Sequence, residues 1–188
     1  RRLEDMVGRI LDTATLEAAQ AYKYDLVARK LGLEPGMRLL DVGCGWGGMV
    51  LHAAANHGVR AVGVTLSRRQ AEWAEKAVAD AGLADRVEIR YQDYRDVRDG
   101  PFDAISSIGM FEHVGLSQLR LYFGGLQRLL RPGGRLLNHG ISRPPNAGRT
   151  RFRRNGFIDR YVFPDGELHE IGSVVSTIQR SGLEVRHL

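Results

Sequence analysis

"LLDVGCGWGG", Leu39 to Gly48, is the stretch that decides the fold. Its apolar run is too short for a helix and reads as a buried strand, with Asp41 near its end. Gly43, Gly45, Gly47 and Gly48 follow directly. Glycines placed there let the backbone turn tightly and come close to a ligand. The spacing is G-x-G-x-G and differs from the dinucleotide fingerprint G-x-G-x-x-G. A plain tight turn is the competing reading.

Outward from this turn, strands and helices alternate. "RLLDVG" (38–43), "RAVGVTLS" (60–67), "VEIRYQD" (87–93) and "FDAISSIG" (102–109) read as strands, and "RPGGRLLNHGI" turns into a fifth. Helical spacing covers 14–32, with Thr15 as its cap, then about 47–57, 68–81, 117–130 and 168–181. A sixth strand is expected at "LEVRHL", 183–188. Strands separated by helices require right-handed crossovers, hence a mostly parallel, doubly wound α/β sheet covered on both faces. Such sheets bind ligands at the carboxyl ends of their strands, where the strand order reverses.

The whole chain of 188 residues suits a single domain, 1–188, in which 1–13 is an N-terminal helix of uncertain role. It holds 43% apolar and 26% charged residues, and its net charge is +5. That excess favours an anionic partner. Cys44 is the only cysteine, so no disulfide forms within the chain; with no base near it, it reads as a packing residue. No apolar run approaches the roughly 20 residues of a membrane-spanning helix, and no signal peptide is visible. A cytoplasmic location is the expectation.

The pattern apolar-apolar-Asp-x-Gly-x-Gly-x-Gly resembles the first motif of class I S-adenosylmethionine (SAM) methyltransferases. "GVTLSRRQ", "YQDYRD", "FDAISSIGMFEHVG", "LLRPGG" and "RYVFPDGEL" follow in order. Together they resemble the cyclopropane fatty acid synthase family, which includes the mycolic acid cyclopropane synthases. The resemblance covers roughly residues 13 to 188. It implies methyl transfer from SAM to the double bond of an unsaturated phospholipid acyl chain, yielding a cyclopropane or a methyl or methylene branch.

Carried over by motif, the resemblance implies that Asp41, Gly43, Gly45, Thr65, Leu66, Ser67, Gln70, Gln92, Asp93 and Ile108 bind the cofactor. Leu66 would pack on the adenine, and Thr65, Ser67 and Gln70 would stand in for the acidic residue usual at the second strand. It also implies a bicarbonate ion, the base of the reaction, held by Glu112, His139 and Ile141. Glu112 and His139 are the catalytic pair, while His113 packs behind the site. Gly140 replaces a threonine of the family pattern without removing the ion. Phe111, Tyr122, Phe123, Phe157, Tyr161 and Phe163 are candidate walls of a dry channel. For each of them, ordinary core packing is the stronger reading.

Other parts of the family pattern are not found. An upstream tyrosine-serine-cysteine stretch has no match in 1–13, and a tyrosine-bearing helix would follow Leu188. The expectation is a chain incomplete at one or both ends and lacking the last antiparallel strand. The arginine-rich stretch 143–160 would meet an anionic membrane surface from the cytoplasmic side, with nucleic acid not expected. A partner domain or a second copy stays open. Two alternatives are a methyltransferase for a small amine or other small molecule, and an inactive domain that binds cofactor or membrane.

Overall fold

The computed structural model describes residues 15–143 and 169–188. Helix α1, Leu16–Leu31, starts where Thr15 Oγ1 accepts from the Ala18 amide at 3.1 Å. It stops at Gly32, whose left-handed φ of 62° ends the helical hydrogen-bond run. Strand β1 is Arg38–Val42, α2 is Gly48–His57, β2 is Arg60–Thr65, α3 is Arg68–Asp80 and β3 is Val87–Tyr91. Then come β4, Phe102–Ile108, α4, Leu119–Leu129, and β5, Leu130–His139. Two short strands, β6 (Ser142–Arg143) and β7 (His169–Glu170), pair in parallel, and α5 is Ile171–Arg180.

The five-stranded sheet runs β3-β2-β1-β4-β5, all parallel. Its order reverses between β1 and β4, so the expected doubly wound sheet is found with its switch point at the glycine turn. Side chains of β1 alternate between two cores. Leu39 packs with Val27, Ala28 and Leu31 of α1 and Val50 and Ala53 of α2. Leu40 and Val42 pack on the other face with Leu119, Phe123 and Leu126 of α4 and Val174 of α5. The same alternation turns Asp41 toward the α1–α2 face.

The expected sixth strand is not formed: 183–188 carries no ladder among the described residues. Leu183 and Val185 are half-buried and Glu184 and Arg186 exposed, so the alternation is present. A strand also needs a neighbour to take its amides and carbonyls, and none pairs with this segment. Among the described residues, no helix is long and apolar enough to cross a membrane.

Candidate active site

The glycine turn is pinned first. The amides of Gly43 and Cys44 both donate to the Val64 carbonyl at 3.0 Å, holding the end of β1 against β2. Gly45 has φ 56°, and nothing lies within 4 Å of where its Cβ would stand. Its open side faces the rim, as close approach of a ligand requires. A Cβ on Gly48 would overlap the Tyr24 hydroxyl. The last glycine therefore serves as the seat of a tyrosine from α1.

Beneath this turn Asp41 is buried and accepts from Ser106 Oγ at 2.6 Å. Burial pushes its carboxyl up to about 6, against the opposing effects of Ser106 and the Lys23 charge. Burial in turn lowers Lys23, with Asp41 acting against it, and raises the Tyr24 phenol, with Asp41 adding to it. Cys44 is buried and its thiol is pushed up to about 12 by burial, then by Asp41. It is a packing residue, as expected.

At the end of β2, Thr65 Oγ1 accepts from the Ser67 amide at 3.2 Å and donates to Gln70 Oε1 at 2.9 Å. Ser67 caps α3 by accepting from the Gln70 amide. The "TLSRRQ" turn is thus internally bonded, and the Gln70 carboxamide oxygen is turned inward. Leu66 projects from it, 63% exposed. Gln92 is held by its amide to the Thr65 carbonyl at 3.1 Å. The Asp93 carboxylate caps the turn Tyr94–Asp96 and binds Arg95 (Nε at 3.0 Å), which lowers its pKa. Its partner is therefore already in place.

The third contribution comes from β4. Ile108 closes that strand opposite His139 on β5, and the Gly109 amide donates to the His139 carbonyl at 2.9 Å. Met110 then lies against Gly43, so this turn touches the glycine turn. Phe111–His113 forms one tight helical turn that buries Glu112 and exposes His113. Glu112 Oε1 accepts from the Ile141 amide at 2.8 Å, while Oε2 is buried without a hydrogen-bond partner among the described residues. The Ile141 amide is therefore engaged by Glu112. His139, two residues earlier, is exposed at the strand end.

Gly140 has a structural reason: a Cβ there would overlap the Phe111 ring and come within 3.1 Å of the Glu112 carboxyl carbon. The missing side chain lets both residues sit against β5. Behind them, buried His169 Nε2 stands 3.2 Å from the Val114 carbonyl, which fixes it as a donor. Tyr122 and Phe123 are fully buried in the α4 core, and Tyr122 Oη lies 2.6 Å from Ser107 Oγ and 3.1 Å from Asn138 Oδ1. They are core residues. Phe157, Tyr161, Phe163 and nearly all of the arginine-rich stretch lie outside the described residues.

One rim thus gathers Gly43, Gly45, Leu66, Gln70, Ile108, Glu112 and His139. Sequence reasoning missed Lys23, Tyr24, Ser106, Met110 and His169. Only their three-dimensional neighbours mark them. Trp46 and Trp73, both exposed, stack edge to face at 6.0 Å beside the glycine turn and were also missed. A cavity of about 380 Å³, lined by Arg38, Arg60, Arg86, Glu88 and Phe102, lies where the strands begin, at the opposite rim. The arrangement at the carboxyl rim offers an open glycine backbone, a buried carboxylate below it and a second buried carboxylate with a vacant lone pair. It suits a polar, positively charged ligand next to an acid–base centre.

Residues 10–188 match the model of the mycolic acid cyclopropane synthetase family. The "Probable fatty acid methyltransferase" of Mycobacterium tuberculosis is 56% identical over 174 residues, 93% of this chain and 40% of the relative. The cyclopropane-fatty-acyl-phospholipid synthase of Escherichia coli is 41% identical over 166 residues, 88% of this chain and 41% of that enzyme. The chain therefore spans about two-fifths of the length of these curated relatives. The crystal structure of mycolic acid cyclopropane synthase CmaA1, complexed with SAH and CTAB, superposes with a TM-score of 0.81 at 35% identity. That match covers 94% of this chain and 64% of the other. Fold and sequence agree: the chain belongs to the mycolic acid cyclopropane synthetase family.

Proposed function

We propose that this protein transfers a methyl group from SAM to the double bond of an unsaturated phospholipid acyl chain. The product is a cyclopropane or a methyl- or methylene-branched chain. The observation that carries the proposal is Glu112: a carboxylate buried at the switch-point rim, fixed by one oxygen to the end of β5, with the other oxygen unpartnered. A buried carboxylate oxygen is costly unless something meets it, so Oε2 calls for a group that completes the site.

Bound at the glycine turn, SAM supplies an electrophilic sulfonium methyl. Gly43 and Gly45 give its amino-acid end close backbone approach, and Asp41 favours its ammonium. Leu66 covers the adenine, Gln70 offers its amide nitrogen to the ribose, and Gln92, Asp93 and Ile108 border the base. Glu112 and His139 would hold a bicarbonate ion, which would supply a compact base. Oε2 of Glu112 fits that ion if one proton is shared, since both groups are anions. The Ile141 amide positions Glu112. Alignment of the reacting atoms can supply several kcal/mol of the barrier, and exclusion of water protects a cationic chain from capture.

The acyl substrate implies work at the cytoplasmic membrane surface. Exposed Trp46, Leu66 and Trp73 on the rim, with a net charge of +5, support peripheral contact with an anionic bilayer. Single-domain organisation over 1–188 belongs to the same proposal. The test incubates the protein with methyl-labelled SAM and vesicles of unsaturated phosphatidylglycerol, then weighs the released fatty acids. A gain of one CH2 unit supports the reading. Label appearing only in added amines, or SAM binding with no transfer, would overturn it.

A further inference from the structure

Outside the rim, α1 and α2 bring three metal-ligating side chains together. Asp25 comes from α1, and His52 and His57 from α2. One ligand atom of each lies within 4.8 Å of the others, and all three side chains are half-buried. We infer that Asp25, His52 and His57 form a divalent metal site of the Zn2+ type, closed by water, that clamps α1 to α2.

Geometry separates this from a simple ion pair. His57 Nε2 stands 3.4 Å from Asp25 Oδ1, yet it is buried and makes no hydrogen bond among the described residues. The two atoms are near each other without being aimed at each other. Ligands about 2.0–2.1 Å from a tetrahedral ion are separated by about 3.3–3.4 Å, so this spacing suits two atoms that share an ion. The ion-pair reading also leaves His52 Nε2 buried and unpartnered. Asn56 occupies the other ring nitrogen, Nδ1, at 3.3 Å. The same Asn56 nitrogen donates to the His52 carbonyl at 3.0 Å, which holds the amide against this histidine.

Asp25 is prepared in the same way. Its Oδ2 is held by Arg29 Nε at 2.9 Å, leaving Oδ1 as the single donor toward the histidines. Two imidazoles and one carboxylate are a borderline-soft donor set, suited to Zn2+ and poor for Ca2+ or Mg2+. The position gives the ion a structural task. Asp25 follows Lys23 and Tyr24 by one turn or less, and those two residues reach Asp41 and Gly48. Fixing Asp25 to α2 fixes the α1 face that rests on the glycine turn.

The test uses metal-free protein prepared by EDTA dialysis. Stoichiometric Zn2+ is expected to raise the melting temperature by ~5–10 °C when added in large excess over its dissociation constant. Co2+ is expected to give the visible absorption of a four-coordinate ion. His57→Gln, and the double variant His52→Gln with His57→Gln, should keep the EDTA melting temperature within about 2 °C and lose both metal effects. No Zn2+ stabilisation of the unaltered protein, or binding of equal strength in the double variant, would overturn the site.

Discussion

Replacing Asp41 by Asn separates a binding role from a packing role, because the two predict opposite signs. Burial lifts the Asp41 carboxyl from 3.8 to about 6. The folded, empty protein therefore holds this proton more tightly than the unfolded chain does. Its contribution to stability is present below about pH 4 and declines as pH rises through about 6, by about 3 kcal/mol in all. Asp41→Asn keeps an oxygen for Ser106 Oγ and removes the buried charge. Urea unfolding at pH 7 should show the variant more stable than the parent, by up to about 3 kcal/mol, and the decline between pH 4 and 6 should vanish. Calorimetry should show the reverse for the cofactor: SAM affinity at pH 7 falls at least tenfold, ~1.4 kcal/mol. In the parent, that affinity should weaken as pH drops below about 6, where Asp41 takes up a proton. A variant that is less stable than the parent at pH 7 and binds SAM equally well would refute the reasoning.

Glu112→Gln should cut methyl transfer by 10²–10⁴, about 2.7–5.5 kcal/mol, while SAM affinity by calorimetry stays within about threefold. Gly140→Ala should lower stability by about 1–3 kcal/mol because its methyl overlaps the Phe111 ring; adding Phe111→Ala should cost less than the two changes summed, as a double-mutant cycle in urea would show. Thr65→Val removes the bonds to the Ser67 amide and to Gln70, so melting should fall by about 2–8 °C, with weaker SAM binding measured alongside.

The parallel sheet was legible because each of its strands carries its signal locally. Leu39, Leu40 and Val42 form an apolar run closed by glycines, and the β4 run, closed by Gly109, repeats that device. Thr15 announced its helix because a cap is a property of three or four neighbouring residues. The 183–188 segment shows the limit. Its alternation was correct, but a ladder depends on a partner that the segment itself does not encode. The rim was legible where a motif is contiguous, as in "GMFEHVG". It was hidden where the contact is long-range. Nothing near Tyr24 in the chain says that its hydroxyl will rest on Gly48, and nothing near Gly140 says that Phe111 will need its space. Tyr122 and Phe123, weighed as channel walls, sit on the inward face of α4, and only the packing decides which aromatic faces a slot.

The most direct test of the account is mass analysis of fatty acids from unsaturated phosphatidylglycerol vesicles after incubation with methyl-labelled SAM, with and without the Glu112→Gln change. The account predicts a labelled chain heavier by one CH2 unit with the parent protein, and its loss in the variant. Equal product from both would contradict a reacting centre at Glu112.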